Sequence, residues 1–387
     1  MVNSKSDANL ITQTISFLRV PLIIAVVYIH FNISRKGISV HGINYGTDNP
    51  EWYFYTINLF SSVLASIAVP LFFFISGYLF FFQNEFNKGV YLNKLKKRVS
   101  ALLVPYILWN LIAILYQIVR LLPLLSSLFP GADKSEIQLS FVRVFNTFFN
   151  CNLTNGIIVS PIEYTMTENI SEPFPIDIPL WYVRDLMVMV IIAPFIYCMI
   201  KTFHAWYLVG LCVAWYFRDL IIPDGGYIHM LLTALFFFSW GCSFSILHID
   251  FIEVMQKVRS LSLLYIPIAI LDTLTLYTDY NIYIHNVGIL LGIIMVVNIA
   301  SQIVMSGKVI INRLLYNSTF FIFAFHKLII DDVAKVVFSL FHLPDSTFVM
   351  MTLYVIVPLI TIFICVLLYK VFKQISPFAC NLLSGGR

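Results

Sequence analysis

The sequence predicts an all-α integral membrane protein, a polytopic helical bundle. Two observations lead to this prediction. Hydrophobic residues make up 59% of the 387 positions and charged residues only 11%, against about a quarter charged in an ordinary soluble domain. Apolar runs also recur along the whole chain, and no polar segment between them is long enough to form a soluble domain. We therefore expect a single membrane domain over residues 1–387.

Ten segments are apolar enough to be membrane spans. A helical span needs about 20 mostly apolar residues, because its backbone groups find no hydrogen-bond partners in lipid. The fifth segment is shorter than this. In chain order the predicted spans are 11–33, 57–82, 101–122, 178–200, 205–217, 230–247, 261–277, 282–305, 320–340 and 348–371.

The loop charges predict the orientation. Lys and Arg accumulate on the cytoplasmic side of short loops. With both termini in the cytoplasm, the cytoplasmic segments hold most of the basic residues, including the cluster at 94–98, and the opposite loops hold far fewer. An even number of spans fits this bias. No small-residue cleavage site follows His30, so the first segment is expected to be a retained span and not a signal peptide.

The net charge and the cysteine pattern predict neither a nucleic-acid partner nor a disulfide or metal site. The net charge of +4 reflects the orientation, and no basic patch interleaved with aromatics predicts nucleic-acid binding. The six cysteines contain no CxxC pair, so the sequence predicts neither a disulfide framework nor a metal site.

The longest polar stretch is the loop at about 123–177, on the face opposite the basic loops. It is mildly acidic and contains several prolines before the fourth span, which predicts an irregular or partly extended segment. It is either a solvated connection or a lid or wall over an outward-facing site. Residues 373–387 are expected to be a short tail without an appended domain.

The first span carries two ionisable side chains, Arg19 and His30. Such groups are costly in a membrane, so each is a functional candidate. At 100° per residue, eleven positions return to within about 20° of the same helix face, roughly 16 Å along the axis. A guanidinium can hold phosphates or a carboxylate, and an imidazole can accept a proton from a hydroxyl. The structural alternatives are a snorkelling arginine and a packing histidine.

The second and third spans add candidates near the cytoplasm. Ser76 adjoins Gly77, and small residues let helices approach closely, which is its structural explanation. The basic loop with Lys97 and Arg98 suits an anionic cytosolic ligand, although the orientation rule alone also explains it.

The later spans add four more candidates. Trp181 and Tyr182 form an aromatic pair at the start of the fourth span, where such residues are usually anchors. Arg184 is followed by Asp185, and the pair either neutralises itself or has a function. His326 lies at membrane depth in the ninth span, where a histidine taken alone more often packs than reacts.

Taken in order, these residues resemble membrane acyltransferase family 3, the bacterial O-acyltransferases of surface polysaccharides. The resemblance covers most of the chain and is closest to members without an appended hydrolase-like domain. Its pieces are Arg19 and His30, the VPLFFFISG sequence of the second span, Lys97 and Arg98 before Pro105 and Tyr106, the group Trp181, Tyr182 and Arg184, and His326.

The resemblance implies a function and roles. An acyl group, usually acetyl, would pass from cytoplasmic acyl-CoA to a hydroxyl of an extracytoplasmic glycan or lipid-linked sugar, without a bound cofactor. The protein would be a multi-pass protein of the bacterial cytoplasmic (inner) membrane, surrounded by membrane lipids. His30 and Arg19 would be the catalytic candidates, with Arg19 near the CoA or acyl path. The remaining candidates are Lys97, Arg98 and Ser76 for acyl-CoA, and Trp181, Tyr182, Arg184 and His326 as acceptor-side or supporting residues.

One position departs from the family pattern. Family members often carry a second arginine three residues after the one that matches Arg98, and this chain has Ala101 there. A paired clamp for the CoA phosphates is therefore weakened, although Lys94, Lys96 and Lys97 are available to compensate.

A transporter or flippase of a glycan or small anionic solute is the alternative function, because it would also place charges along a path through the membrane. It predicts internal repeats and paired helices broken by Gly or Pro, and neither is clear in the sequence. Substrate flux without chemistry would favour it, whereas acyl-CoA hydrolysis or an acylated product would favour the enzyme.

Overall fold

The computed structural model describes residues 4–40, 43–82, 86–120, 136–151, 155–159, 173–223, 225–307 and 312–386. Helices dominate this part of the chain, which confirms the all-α prediction. The described strands form two short antiparallel pairs: β1 (Ile38–Val40) pairs with β2 (Ile43–Tyr45), and β3 (Glu136–Ile137) pairs with β4 (Ile158–Val159).

The α-helices of the described residues are α1 Ser4–His30, α2 Glu51–Asn58, α3 Ala68–Phe81, α4 Lys88–Arg98, α5 Val104–Arg120, α6 Phe141–Phe149, α7 Trp181–Ile191, α8 Ala193–Phe203, α9 Ala205–Tyr216, α10 Arg218–Ile221, α11 Tyr227–Ile246, α12 Phe251–Lys257, α13 Arg259–Ser262, α14 Tyr265–Leu274, α15 Asn281–Met305, α16 Arg313–Leu340, α17 Thr347–Ile375 and α18 Pro377–Leu383. A π-helix, Leu59–Leu64, and a 3₁₀ turn, Ala65–Ile67, join α2 to α3. A second π-helix, Val99–Leu103, joins α4 to α5.

Six stretches of the described residues are long and apolar enough to cross a membrane, and the number rises to eight if each of two bent helix pairs is one span. The bends are 61° between α7 and α8, and 73° between α12 and the stretch Arg259–Leu274. The six are Asn9–His30, Glu51–Phe81, Lys88–Arg120, Tyr227–Ile246, Asn281–Met305 and Thr347–Ile375. These stretches and pairs overlap eight of the ten predicted spans.

The other two predicted spans are helices of a different kind. α9 has only 12 residues, which is short for a crossing. α16 has 28 residues but carries Lys327, Asp331, Asp332 and Lys335 towards its C-terminal end. The multi-pass membrane fold is therefore supported, while the count of ten and the cytoplasmic termini remain predictions.

The chain divides into two compact units that alternate along the sequence. The first contains Met1–Asn32, Phe54–Leu95 and Val188–Thr319. In it α3 and α11 touch backbone to backbone: a Cβ on Gly77 would lie 2.0 Å from the Phe238 carbonyl oxygen, and one on Gly241 would lie 1.9 Å from that of Phe74. Small residues permit this approach in a membrane, which confirms the packing role predicted at Gly77.

The second unit contains Ile33–Tyr53, Lys96–Met187 and Phe320–Arg387. Its core includes Trp109 of α5, a fully buried side chain whose ring centroid is 5.1 Å from that of Phe321 on α16. The Trp109 Nε1–H donates to the Leu383 carbonyl oxygen at 2.9 Å. The expected tail thus contains a helix, α18, which packs against α5.

Ion pairs within the second unit neutralise the charges of α16. Asp332 lies 3.6 Å from Arg120 and accepts a hydrogen bond from the Tyr116 hydroxyl. Asp331 is 2.7 Å from Lys327 and 3.9 Å from Lys36. Because these charges are paired, α16 can carry them while packed within the second unit, although its composition alone looks too polar for a membrane span.

Candidate active site

Arg19 and His30 both lie on α1, which is one continuous helix with Pro21 inside it. Both side chains are partly buried. The helix keeps the eleven-residue spacing on which the sequence prediction depended. Pro21 lacks an N–H and removes one backbone hydrogen bond of the helix between the two residues.

The Arg19 guanidinium lies over an aromatic ring. Its Cζ is 5.0 Å from the ring centroid of Tyr316, at the start of α16 and within the first unit. A cation over an aromatic face is stabilised by the ring quadrupole. The charge of Arg19 is thus held at a defined place on α1, nearer than His30 to the end that the predicted orientation assigns to the cytoplasmic side.

A polar cluster follows His30 at the end of α1. The side-chain amide of Asn32 donates to Asn58 Oδ1 at 2.9 Å and to Ser62 Oγ at 3.1 Å. Ser62 also donates to Asn58 Oδ1 at 2.9 Å, and Ser61 donates to the Tyr28 carbonyl oxygen at 2.8 Å. Asn58 is fully buried. His30, the last residue of α1, is thus followed two positions later by a partly buried network of amides and hydroxyls.

This cluster was not predicted from the sequence. Its serines belong to the π-helix Leu59–Leu64, and π-turns inside helices are frequent at functional sites. Asn and Ser in an apolar run gave no periodic signal, so the contact between the end of α1 and this π-helix could not be read from the sequence.

Ser76 lies in the middle of α3 and is partly buried. It is next to Gly77, the glycine that touches the α11 backbone. The Cys242 thiol also faces the Gly77 carbonyl oxygen at 3.5 Å. Ser76 therefore adjoins the close backbone contact between α3 and α11, and its contact with acyl-CoA remains a prediction.

Lys97 and Arg98 end α4, in the second unit. Lys97 is exposed and Arg98 is partly buried, within electrostatic range of Tyr182. Lys94, in the first unit, donates from its ammonium to the Phe80 carbonyl oxygen. The position that often carries an arginine in the family, Ala101, has a packing role here, since a Cβ on Gly385 would lie 2.5 Å from its carbonyl oxygen.

The start of α7 is organised by Arg184. This buried side chain pairs through Nε with Asp185 Oδ1 at 2.8 Å. Its Nη1 donates to the carbonyl oxygens of Phe149, at 2.6 Å, and of Pro173. These contacts tie the ends of two loop segments to α7. They match the self-neutralising pair that the sequence analysis considered, and a contact with the acceptor remains a prediction.

Trp181, Tyr182 and Asp177 lie in the same region. The Trp181 ring centroid is 6.4 Å from that of Phe174, and the Tyr182 centroid is 6.0 Å from that of Phe323 on α16. Asp177 is fully buried, and burial raises the pKa of its carboxyl well above the usual range. At Asp177 the acidic loop is therefore not a solvated connection.

His326 is fully buried on α16. Its Nδ1 lies 2.9 Å from the carbonyl oxygen of Ile322, one turn earlier on the same helix. Phe323, which contacts Tyr182, is also on this turn. The second unit therefore brings Tyr182, Phe323 and His326 into one region.

The predicted site residues fall in both units. Arg19, His30 and Ser76 belong to the first, and the other six belong to the second. No group of three or more His, Cys, Asp or Glu side chains among the described residues is placed to hold a metal ion.

A second histidine in the first unit was not predicted. His285 of α15 lies with its Nδ1 2.8 Å from Asp272 Oδ2 of α14, and Asp272 is almost fully buried. The Asn281 side-chain amide donates to Asp272 Oδ1 at 2.8 Å. A carboxylate bonded to one ring nitrogen orients an imidazole and fixes its tautomer. The two residues are thirteen positions apart on different helices, so only the fold reveals the pair.

The comparison with protein families decides the relationship. The family model described as "Acyltransferase domain" matches residues 13–370, a range that contains all nine predicted site residues. The chain belongs to this acyltransferase family. Membership confirms the resemblance inferred from the order of the motifs.

One curated relative of this acyltransferase is the succinoglycan biosynthesis protein ExoH of Rhizobium meliloti (strain 1021). It is 23% identical over 275 residues, which are 70% of this chain and 64% of the relative. The chain thus spans less than two thirds of that relative's length. No solved structure matches the chain.

Proposed function

We propose that the protein is a membrane O-acyltransferase of the bacterial cytoplasmic membrane. It transfers an acyl group, acetyl in the first instance, from cytoplasmic acyl-CoA to a hydroxyl of an extracytoplasmic glycan or lipid-linked sugar. The family match over residues 13–370 is the observation that supports this proposal most directly. The similarity to a succinoglycan biosynthesis protein supports a polysaccharide as the final product.

The donor binds at the cytoplasmic face. The phosphates of CoA cannot enter lipid without compensating charge, so they remain with the exposed Lys97 and with Arg98 at the end of α4. The pantetheine arm then carries the acyl group towards the membrane interior. Arg19, whose guanidinium lies over the Tyr316 ring within the first unit, is the residue that the family resemblance assigns to the CoA or acyl path.

His30 acts as the general base for the acceptor. A sugar hydroxyl is a weak nucleophile at neutral pH until a base removes its proton. In the proposed step the imidazole takes this proton while the hydroxyl oxygen bonds to the thioester carbonyl carbon. The carbon–sulfur bond breaks, and the proton passes to the departing thiolate, which leaves as CoA thiol. The buried amide and hydroxyl cluster around Asn58 holds the segment that follows His30.

The decisive experiment is mass spectrometry of surface glycans from cells with and without the protein. The proposal expects the mass increment of one acyl ester to disappear when the protein is absent and to return on complementation. Vesicles supplied with acetyl-CoA or succinyl-CoA identify the acyl group. Unchanged glycans, or movement of a glycan across the vesicle membrane without acylation, would refute the transferase and favour transport.

The sidedness of the reaction needs its own test. Vesicles of known orientation are given acyl-CoA on one face only. Ester formation on the acceptor is expected only when acyl-CoA is on the cytoplasmic face. Equal reaction from either face would contradict a donor site formed by Lys97 and Arg98.

A further inference from the structure

The first unit contains an apolar cavity with a single charged wall residue. Its volume is about 420 Å³, within the range of about 300–1,000 Å³ common for ligand pockets. Ten of its eleven lining residues are apolar and come mainly from α7, α9, α10 and α11. Arg218, the first residue of α10, is the eleventh.

The neighbours of Arg218 hold its guanidinium in place. Nη1 donates to the Trp215 carbonyl oxygen at 3.0 Å and to Asn286 Oδ1 at 3.1 Å, and both partner residues are fully buried. The Arg218 side chain is only 13% exposed. A guanidinium fixed in this way loses little further freedom when it binds an anion.

One edge of the guanidinium is not used by the protein. Nε faces Asp219 Oδ2 at 3.7 Å, but Asp219 is 44% exposed and also lies 3.3 Å from His229 Nδ1. Within the described residues, Nη2 of Arg218 has no hydrogen-bond partner. Burial lowers the pKa of Arg218 from its usual value, and the neighbouring Asp219 carboxylate opposes this shift.

Arg218 lies in a short connection at one end of the cavity. α9 ends at Tyr216 and α11 begins at Tyr227, so Arg218 lies between these two helices. With α9 counted as the fifth predicted span, the predicted orientation places this connection on the extracytoplasmic side. Ile221 and Ile228 of the cavity wall are 58% and 51% exposed, which gives the cavity an apolar opening.

We propose that this cavity binds a lipid phosphate that has one hydrocarbon chain, with the chain against the apolar wall and the phosphate on Arg218. The apolar wall can accommodate a hydrocarbon chain without placing it against polar groups. The guanidinium fork matches phosphate geometry. The cavity volume is near the lower end of the usual range, which suits one chain and not the two of a glycerophospholipid.

The chemistry extends the proposed function. A sugar attached to such a phosphate would lie at the extracytoplasmic surface, where the transferase is proposed to meet its acceptor. That this lipid carries the acceptor rests on the proposed function, whereas binding of the lipid phosphate does not.

The test measures binding to the purified full-length protein in an uncharged detergent. The probes are farnesyl phosphate, farnesol, which lacks the phosphate, and phosphatidylglycerol, which is anionic with two chains. Native mass spectrometry gives the dissociation constants. We expect farnesyl phosphate to bind about tenfold more tightly than farnesol, the effect of a charged hydrogen bond. Arg218→Gln should abolish this difference, and Leu232→Trp, which fills the cavity, should weaken both ligands.

The controls separate binding from folding. Arg259→Gln removes an exposed arginine elsewhere in the same unit and should leave the preference for phosphate intact. Arg218→Lys keeps the charge and should retain part of the preference, and a thermal unfolding scan checks each variant. Equal binding of farnesol and farnesyl phosphate, or an undiminished preference in Arg218→Gln, would overturn the proposal. Tighter binding of phosphatidylglycerol would overturn the single-chain assignment. No acyl donor is present, so failure of the transferase proposal cannot produce either result.

Discussion

His30 and His326 are both histidines of predicted spans, but the structure gives them different surroundings. His30 is the last residue of α1, is partly buried and precedes the polar cluster around Asn58. His326 lies in the middle of α16, is fully buried, and faces a carbonyl oxygen of its own helix. An imidazole must be reachable to take a proton from a substrate. Depth in the predicted span therefore does not separate the two histidines, whereas their exposure does, and this difference favours His30 as the reacting residue.

The largest expected effect is on activity, in His30→Ala. Removal of a general base typically lowers the rate by about 10²–10⁴-fold. We expect a loss of this size in the turnover of acyl transfer, measured per folded molecule by mass spectrometry of the product.

The control for this variant is His248→Asn, which changes an exposed histidine of the same unit. It should transfer acyl groups at the normal rate. If His30→Ala remained active and well folded, the difference in exposure between His30 and His326 would not indicate which histidine reacts.

The second effect is on stability, in His326→Ala. Truncation of a fully buried side chain leaves a cavity, and we expect a loss of about 2–4 kcal/mol in the free energy of unfolding. Thermal or denaturant unfolding in detergent measures this. A fully stable but inactive variant would contradict the packing role and would place His326 in the reaction.

The third effect is a loss of stability caused by packing alone, in Gly241→Ala. Its Cβ would lie 1.9 Å from the Phe74 carbonyl oxygen, so α3 and α11 must separate, at a cost of roughly 1–3 kcal/mol. Gly210→Ala is the matched control, because its Cβ would meet nothing within 4 Å. Equal unfolding midpoints for the two variants would show that the helices do not make this contact.

The fourth effect concerns the polar cluster after His30, in Asn58→Ala. The change removes the acceptor shared by Asn32 and Ser62, and buried groups left unpaired cost about 1–3 kcal/mol. We expect the turnover number to fall about tenfold with a smaller change in KM, since His30 would be less well positioned. Asn93→Ala, an exposed asparagine on α4, should change neither. An unaltered turnover number in Asn58→Ala would mean that the cluster stabilises the helix end and nothing more.

Much of the fold was accessible from the sequence, because apolar runs of sufficient length have few alternatives in a membrane. The bends were not accessible: α7 and α8 break at Ile192 inside one apolar run. The packed helix α18 was also missed, because its attachment depends on contacts between residues far apart in sequence, among them the hydrogen bond from Trp109 to the Leu383 carbonyl oxygen.

The candidate site could be predicted only where its residues lie at a regular spacing on a single helix. Arg19 and His30 are on a single helix, so their spacing survives folding. Asp272 and His285 are paired by the packing of two helices, and Asn32, Asn58 and Ser62 by the approach of α1 to a π-helix. Such contacts leave no periodic trace, since they depend on how helices meet and not on the order of residues within one.

The smallest expected effect concerns Arg19, the other residue of the α1 pair. Tyr316→Leu removes the aromatic face 5.0 Å from its guanidinium, an interaction of about 0.5–1 kcal/mol at an accessible site. We therefore expect KM for acyl-CoA to rise about two- to fivefold, measured by initial rates of transfer. Tyr316→Phe keeps the ring and should keep the wild-type KM. If both variants raised KM equally, the Tyr316 hydroxyl and not the face of its ring would be responsible. The contact between the ring and the guanidinium would then not be what positions Arg19.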